Sequence, residues 1–353
     1  MKNIMAVLLL CCLVLTACSQ ADTLPELTSP VETSMPSTIQ PESTNDYPAP
    51  VAIRRGINFG NMLEAPNEGD WGLTVQEEYF DLVKAAGFDF VRLPVRWSAH
   101  AGMEYPYTID PAFFVRVDQV VGWAQARDLT IIVNLHHYEE LATDPWSHKD
   151  RLVGLWRQIA EHYKEYPANV IFELCNEPNG ELNAALWNEY LAETLAVVRE
   201  TNPTRDVVLG PVWWNAYDWL STLDVPDDEH LIVTFHYYLP FQFTHQGAEW
   251  IGDESQQWLG MGWGSDADRQ ELTRHFDAVE QWAQRKGVRI LLGEFGVYSK
   301  AAMSDRVRWT DFVRAEAEAH GFAWAYWEFG SGFGAYDPQG KAWRQDLLKA
   351  LIP

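Results

Sequence analysis

The stretch Ile171-Phe172-Glu173-Leu174-Cys175-Asn176-Glu177-Pro178 joins an apolar run to a polar pair and a proline. The run over residues 170–174 is typical of a short buried strand, and a proline cannot continue a sheet ladder. Glu177 is therefore expected just beyond the end of a buried strand. Because burial disfavours the charged form of a carboxyl group, a glutamic acid there can keep its proton near neutral pH and act as a proton donor.

A second apolar run ends in the same way, in Arg289-Ile290-Leu291-Leu292-Gly293-Glu294-Phe295-Gly296. Here Glu294 follows the run in a glycine-flanked segment. Two glutamates at the ends of separate strands can face each other across a cleft. Taken singly, either glutamate could equally be a solvated loop carboxylate, so the inference depends on the pair.

Strand-like and helix-like segments alternate after residue 50. The strand-like segments are residues 53–59, 88–94, 130–135, 170–174, 207–210, 231–236, 289–293 and 322–327. The spacing of Thr74 and Glu77 predicts a capping box before the first helix, and a last helix is expected over residues 341–351. Eight strands, each followed by a helix, predict a single (β/α)8 TIM barrel over residues 51–353. The alternative is a doubly wound α/β sheet, but no glycine-rich phosphate loop follows the first strand.

The first 50 residues have the pattern of an export signal and a tether. Lys2 precedes an apolar core over residues 5–15, and Leu15-Thr16-Ala17-Cys18 resembles a bacterial lipobox. Residues 1–17 are thus expected to be a lipoprotein signal peptide and Cys18 to carry lipid; an ordinary signal peptide or an uncleaved anchor is the alternative. Residues 18–50, rich in Pro, Ser, Thr and Glu, predict a disordered tether. The protein is then exported and held at the bacterial cell envelope by the lipid alone.

Composition limits the partners. The formal net charge of −24 argues against nucleic acid or an anionic lipid surface. The 17 tryptophans favour a neutral ligand with flat apolar faces and polar edges, such as a sugar polymer. Cys175 is the only cysteine after residue 50, so no disulfide can form within that part of the chain. A monomer is expected.

In a TIM barrel the active site lies at the C-terminal ends of the strands. The side chains expected at these ends are nearly all polar or aromatic: Asn58, Arg92, His136, His137, Tyr138, Asn176, Glu177, Trp213, Trp214, His236, Tyr238, Glu294, Trp327 and Glu328. Such a set fits hydrolysis of a glycosidic bond, in which one carboxyl group is protonated and another is ionised.

Individual roles follow from charge and geometry. Arg92 is expected to keep Glu294 ionised by pairing with it, although a purely structural salt bridge remains open. His236 and Tyr238 are two residues apart on one strand and point the same way, so that His236 can tune Glu177 and Tyr238 can donate to Glu294.

Two further readings concern groups outside this pair. Adjacent residues of a strand point apart, which disfavours a metal shared by His136 and His137. Glu173, inside a strand, is expected to be a buried and paired carboxylate.

At these residues the chain resembles glycoside hydrolase family 5, a family of TIM-barrel cellulases and mannanases. Seven motifs carry the resemblance: Gly56-Ile57-Asn58-Phe59-Gly60-Asn61, Arg92-Leu93-Pro94-Val95-Arg96-Trp97, Asn134-Leu135-His136-His137, Asn176-Glu177-Pro178, His236-Tyr237-Tyr238, Gly293-Glu294-Phe295-Gly296 and Trp324-Ala325-Tyr326-Trp327-Glu328-Phe329. The resemblance implies that Glu177 is the acid/base and Glu294 the nucleophile. It further implies active-site positions at Arg92, His136, Asn176, His236, Tyr238 and Trp327, and sugar contacts at Asn61, Glu64, His137 and Trp213.

The expected function is that of a retaining endo-β-1,4-glucanase that cleaves cellulose or β-glucan, with glucomannan as a further substrate. Neither a cofactor nor a metal is expected, because side chains supply both the acid and the nucleophile. A β-mannanase or a xyloglucanase is the alternative within the same family. From a different class, an inactive glycan-binding lipoprotein would use the same tryptophans.

Overall fold

The computed structural model describes residues 49–353, and the expected signal peptide and most of the expected tether lie outside them. Eight parallel strands close into a barrel in sequence order, which confirms the TIM barrel and excludes a doubly wound sheet. The strands are β1 Arg55–Asn58, β2 Phe90–Leu93, β3 Thr130–Asn134, β4 Val170–Glu173, β5 Val207–Leu209, β6 Leu231–Tyr237, β7 Arg289–Phe295 and β8 Ala323–Tyr326.

Helices surround the barrel, and a hairpin follows it. They are α1 Glu77–Ala86, α2 Pro111–Gln125, α3 Glu139–Thr143, α4 Pro145–Tyr163, α5 Ala184–Thr201, α6 Val212–Asn215, α7 Phe241–Thr244, α8 Asp266–Lys286, α9 Met303–Ala319 and α10 Gln345–Leu351, with the hairpin β9 Tyr336–Asp337 and β10 Ala342–Trp343. Among the described residues, no helix combines the length and the apolar character needed to cross a membrane.

Two expectations about helix starts are wrong. Helix α1 begins after Gln76, whose side chain makes no capping hydrogen bond, so Thr74 is not part of a capping box. The last helix begins only at Gln345, because residues 342–343 pair with β9 as a strand. A capping box does exist at α8. The Ser265 hydroxyl accepts from the Asp268 backbone N–H, and the Asp268 carboxylate accepts from the Ser265 backbone N–H.

The barrel interior is layered along its axis. Its lower part is apolar and contains Phe90, Ile132, Ile171, Val208, Ile232, Leu291, Ala323 and Ala325. Two residues further along their strands, Arg92 and Glu173 point into the same interior, because side chains alternate along a strand. Gly56 makes room for this packing, since a Cβ there would approach the Phe90 ring to 2.3 Å.

The connection from β6 to α8 is the longest on the C-terminal face. It is pinned by the side chain of Gln246, which is 1% exposed. Its amide nitrogen donates to the carbonyls of Phe243 at 3.0 Å and Met261 at 2.9 Å, and its oxygen accepts from the Gly260 N–H at 2.9 Å. The two ends of this loop are thus tied to each other through hydrogen bonds of the loop itself.

Candidate active site

A cleft of about 940 Å³ opens at the C-terminal ends of the strands. The predicted site residues that line it are Asn61, Glu64, His136, His137, Asn176, Glu177, Trp213, His236, Tyr238, Glu294 and Trp327. Arg92 lies beneath them and is fully buried. The structure therefore brings all twelve predicted site residues together.

Arg92 is the central cation of the site. Nε and Nη2 donate to the two carboxylate oxygens of Glu173, each at 2.6 Å. Nη1 donates to Asn58 Oδ1 and to Glu294 Oε1, both at 2.8 Å. Nη2 also donates to Asn176 Oδ1 at 2.7 Å. All five N–H groups of the guanidinium thus have acceptors. Burial works against the positive charge, but Glu173 and Glu294 outweigh it and raise the pKa of Arg92.

This arrangement orients Asn176. A guanidinium offers only donors, so the amide oxygen of Asn176 must face Arg92 and its NH₂ group is directed elsewhere. Asn176 lies at the cleft, where this NH₂ group is available to a ligand hydroxyl. The expected ion pair of Arg92 with Glu294 is present. Arg92 also forms a buried structural salt bridge with Glu173.

Glu294 is held by two donors. Besides Arg92, the Tyr238 hydroxyl donates to Glu294 Oε2 at 3.0 Å. A β-bulge between Phe235 and His236 shifts the register so that His236 pairs with Glu294 across β6 and β7. Burial raises the pKa of Glu294, while His236 and Arg92 act in the opposite direction.

Glu177 has a different environment. Its backbone has a positive φ of 48°, and its side chain remains 24% exposed toward the cleft. It makes no hydrogen bond to Arg92; its partner is His236 Nδ1, 2.7 Å from Oε1. Burial and repulsion by Glu173 raise the pKa of Glu177 to about 8, against a lowering effect of Arg92. The side chain is therefore protonated at neutral pH.

The two carboxyl groups lie close together. One oxygen of Glu177, one oxygen of Glu294 and one nitrogen of His236 all lie within 4.8 Å of one another. This set of ligand atoms could also hold a divalent cation, as could the group of Asp277, Glu280 and His320 on the outer helices. Burial lowers the pKa of His236 to about 4, so its ring is neutral at neutral pH.

One wall of the cleft combines aromatic rings with a buried acid. The rings of Trp327 and His136 stack, with centroids 5.5 Å apart. Asn134 Nδ2 donates to His136 Nδ1 at 3.0 Å, which leaves the other ring nitrogen as the N–H of the neutral ring. Glu64 accepts from the backbone N–H groups of Asn61 and Met62, and burial raises its pKa to about 7.

The opposite wall is formed by the short element α6, whose backbone is a left-handed turn and not a regular α-helix. Trp213, Trp214 and Asn215 have φ values of 58°, 57° and 54°, so three successive residues without a glycine are left-handed. This conformation costs about 1–2 kcal/mol per residue. The turn exposes both tryptophans at the cleft, with 50% and 49% of their surface accessible. A 3-10 helix, Tyr217–Thr222, follows the turn.

Other aromatic residues of the cleft cannot be predicted from the residues at strand ends, because they do not follow a strand directly. Trp71, Phe241, Trp250, Tyr298 and Phe333 line it from longer loops. A search for aromatic residues in segments without a strand signal would have found Trp71 and Trp250. The same search would also select Trp263, a loop residue that is buried in the core and does not line the cleft.

Comparison with known proteins gives relatives along nearly the whole chain. Endoglucanase H of Acetivibrio thermocellus is 39% identical over 326 residues, which cover 91% of this chain and 35% of that protein. The chain thus spans about a third of the length of that relative. Endoglucanase B of Clostridium cellulovorans is 30% identical and is matched over 73% of its length by 85% of this chain.

Solved structures agree. Cel5A of Thermotoga maritima in complex with cellobiose is 49% identical, has a TM-score of 0.84 and is covered to 97% by 85% of this chain. The same enzyme has been solved with mannotriose, with a TM-score of 0.84 and 48% identity over the same shares of both chains. Residues 54–332 match the model of the cellulase family, glycosyl hydrolase family 5. The chain therefore belongs to glycosyl hydrolase family 5.

Proposed function

We propose that the protein is a retaining endo-β-1,4-glucanase in which Glu294 is the nucleophile and Glu177 the acid/base. The observation that carries the proposal is the close pair of carboxyl groups, with oxygens within 4.8 Å. Retaining glycosidases place these groups about 5–5.5 Å apart, whereas inverting enzymes keep about 6.5–9.5 Å to admit a water. The relatives named endoglucanases support the same chemistry.

The reaction proceeds in two displacements. The Glu294 carboxylate attacks the anomeric carbon while Glu177 gives its proton to the leaving glycosidic oxygen, so that the sugar–oxygen bond breaks as the sugar–enzyme ester forms. Glu177, now ionised, takes a proton from a water that attacks the ester and releases Glu294. Arg92 and Tyr238, each donating to Glu294, favour the ionised form of the nucleophile and orient it.

Binding groups surround the pair on both sides. The NH₂ group of Asn176 and the ring N–H of His136 are donors for sugar hydroxyls. Trp327 presents an aromatic face, which suits the apolar CH face of a pyranose ring. Asn61, Glu64, His137 and Trp213 also line the cleft and are proposed as sugar contacts. The close pair of carboxyl groups argues against an inactive glycan-binding protein, since binding alone does not require it.

The proposal extends to location. The lipobox-like sequence ending in Cys18 supports export and attachment to the bacterial envelope by a lipid, with residues 18–50 as a tether. Contact with the membrane is then through the lipid alone, and the substrate is the only other partner proposed.

Replacement of the two glutamates by glutamine gives different kinetic effects. Glu294→Gln removes the nucleophile and is expected to abolish release of reducing ends from β-glucan. Glu177→Gln is expected to lower the rate on β-glucan by about 100- to 10,000-fold, the range of general acid catalysis. It should spare formation of the glycosyl-enzyme from 2,4-dinitrophenyl cellobioside, whose leaving group needs no proton.

The control is Glu189→Gln, which alters an exposed carboxylate paired with Lys149 on the outer helices. Wild-type activity in Glu177→Gln or Glu294→Gln, measured by reducing-sugar release, would refute the assignment of the pair.

The activity should fall at alkaline pH. Burial raises the pKa of Glu177 to about 8, so the acid form persists through neutral pH and is lost as the pH rises past that value. We expect kcat/KM on β-glucan oligosaccharides to decline tenfold per pH unit above about pH 8. A profile of Glu177→Gln with the same alkaline limb would show that another group sets it.

The rate of cleavage should depend on the charge of the polymer and on its sugar. Among the described residues that line the cleft there is no lysine or arginine, whereas Asp218 and the ionised nucleophile Glu294 contribute negative charge. Neutral β-glucan should therefore be cleaved faster than carboxymethylcellulose, and added salt should raise only the latter rate because it screens the repulsion. β-Mannan should be slower than β-glucan, with glucomannan between them.

Fastest release from mannan would make the protein a mannanase, and fastest release from xyloglucan would make it a xyloglucanase. Binding without release from any of the polymers would identify a glycan-binding protein.

Lipid attachment can be measured in bacteria that express the full chain. Radiolabelled palmitate should enter the wild-type protein and not Cys18→Ser, and wild-type activity should sediment with membranes while that of Cys18→Ser should not. Cys175→Ser is the matched control, since Cys175 is a free buried cysteine of the barrel. Equal labelling of wild type and Cys18→Ser would refute the anchor.

A further inference from the structure

Asn215 lies behind the catalytic pair and has no role in the proposal above. Its side chain is fully buried beneath the cleft, at the end of the left-handed turn that exposes Trp213 and Trp214. Its Nδ2 lies 3.3 Å from Nε2 of His236. On the other side of the same ring, Nδ1 lies 2.7 Å from Glu177 Oε1. Asn215, His236 and Glu177 thus form a continuous chain of polar contacts.

The chemistry of this chain restricts the imidazole. A neutral histidine has one N–H and one lone pair, and the hydrogen bond at one nitrogen decides which nitrogen carries the proton. An amide NH₂ that faces Nε2 requires a lone pair there, so the proton is on Nδ1. That proton then points at Glu177, with Glu294 Oε2 at 3.6 Å as its second acidic neighbour.

We propose that Asn215 is a positioning residue that holds His236 as its Nδ1–H tautomer and thereby stabilises the ionised form of Glu177. This inference rests on the proposed function, because it matters in the second displacement, where Glu177 must accept a proton from water. The Nδ1–H donor favours the carboxylate that the first displacement leaves behind.

The glycine beside Asn215 supports a dedicated placement. Asn215 Oδ1 is buried without a hydrogen-bond partner, so the contact of Nδ2 with Nε2 of His236 is the hydrogen bond of this side chain. A Cβ on Gly210 would lie 2.3 Å from that same oxygen, so a glycine is needed for the side chain to fit. The strained backbone of the turn delivers the amide to this position, and such strain persists where the surrounding structure enforces it.

Several charged groups share this environment and must be considered in any pH measurement. The charged and titratable groups that face His236 come from four strands and the segments after them: Arg92 on β2, His136 after β3, Glu173 on β4, Glu177 after β4 and Glu294 on β7. Since several of them titrate, a pH profile alone would not isolate Asn215. The tautomer is the more direct observable.

The experiment is nitrogen-detected NMR of the wild-type full chain labelled with 15N-histidine. At pH 7, His236, assigned by its absence in His236→Gln, should show a protonated δ1 nitrogen and an unprotonated ε2 nitrogen. The reverse pattern would overturn the proposal. This measurement needs no substrate and no variant of Asn215. Failure of the proposed function would instead appear as absence of glucan hydrolysis with the tautomer unchanged.

Substitution gives the kinetic counterpart. In Asn215→Asp the carboxylate can only accept, so the ring proton should move to Nε2 and the donor to Glu177 should be lost. The good leaving group of 2,4-dinitrophenyl cellobioside should make the second displacement rate-limiting. Its turnover should fall by about 10- to 100-fold, the range seen when the outer partner of a metal-bound histidine is removed. Formation of the glycosyl-enzyme should change less.

Thr234→Val is the matched control. Thr234 is buried on the same face of β6 as His236, and its hydroxyl also has no hydrogen-bond partner. This variant should keep the wild-type tautomer and turnover. Equal losses in Asn215→Asp and Thr234→Val would show that the site responds to packing alone and would contradict the proposed role.

Discussion

A buried guanidinium that must be neutralised organises this site. Arg92 sits inside the barrel without access to water, and the cost of burying such a charge is repaid only when acceptors surround it. The acceptors come from β1, β4 and β7 and from the segment after β4. Closure of the barrel therefore gathers these acceptors around one cation. Strands far apart in sequence are fixed relative to each other through one side chain.

The same cation creates the difference between the two glutamates. Glu294 receives a direct hydrogen bond from Arg92 and another from Tyr238. Glu177 receives neither and instead contacts a neutral ring. The partners of two residues of one type therefore differ in the way that an acid and a nucleophile require. The left-handed turn adds Asn215, which contacts His236 and through it affects Glu177.

The barrel and the strand-end residues were predictable because both follow from local patterns. Apolar runs identify the strands, and the polar residue after each run, such as Glu177 or Glu294, is carried to a common face by the parallel topology. The turn at Trp213 was not predictable from the sequence, because tryptophan has no preference for a left-handed conformation and only tertiary contacts enforce it. Trp71 was missed since nothing local ties its loop to the cleft. The capping box expected at Thr74 failed because its spacing also occurs by chance.

The loop between β6 and α8 has a consequence for how such enzymes diversify. Gln246 ties its own end of this loop to residues 260 and 261, whereas Tyr238, the first residue of the loop, donates to Glu294. Residues such as Phe241 and Trp250, which the loop contributes to the cleft, can change without disturbing the reacting groups. Evolution can therefore adapt the recognition of new polysaccharides by changing the part of the loop beyond Tyr238, while Tyr238, Arg92 and the two glutamates are kept.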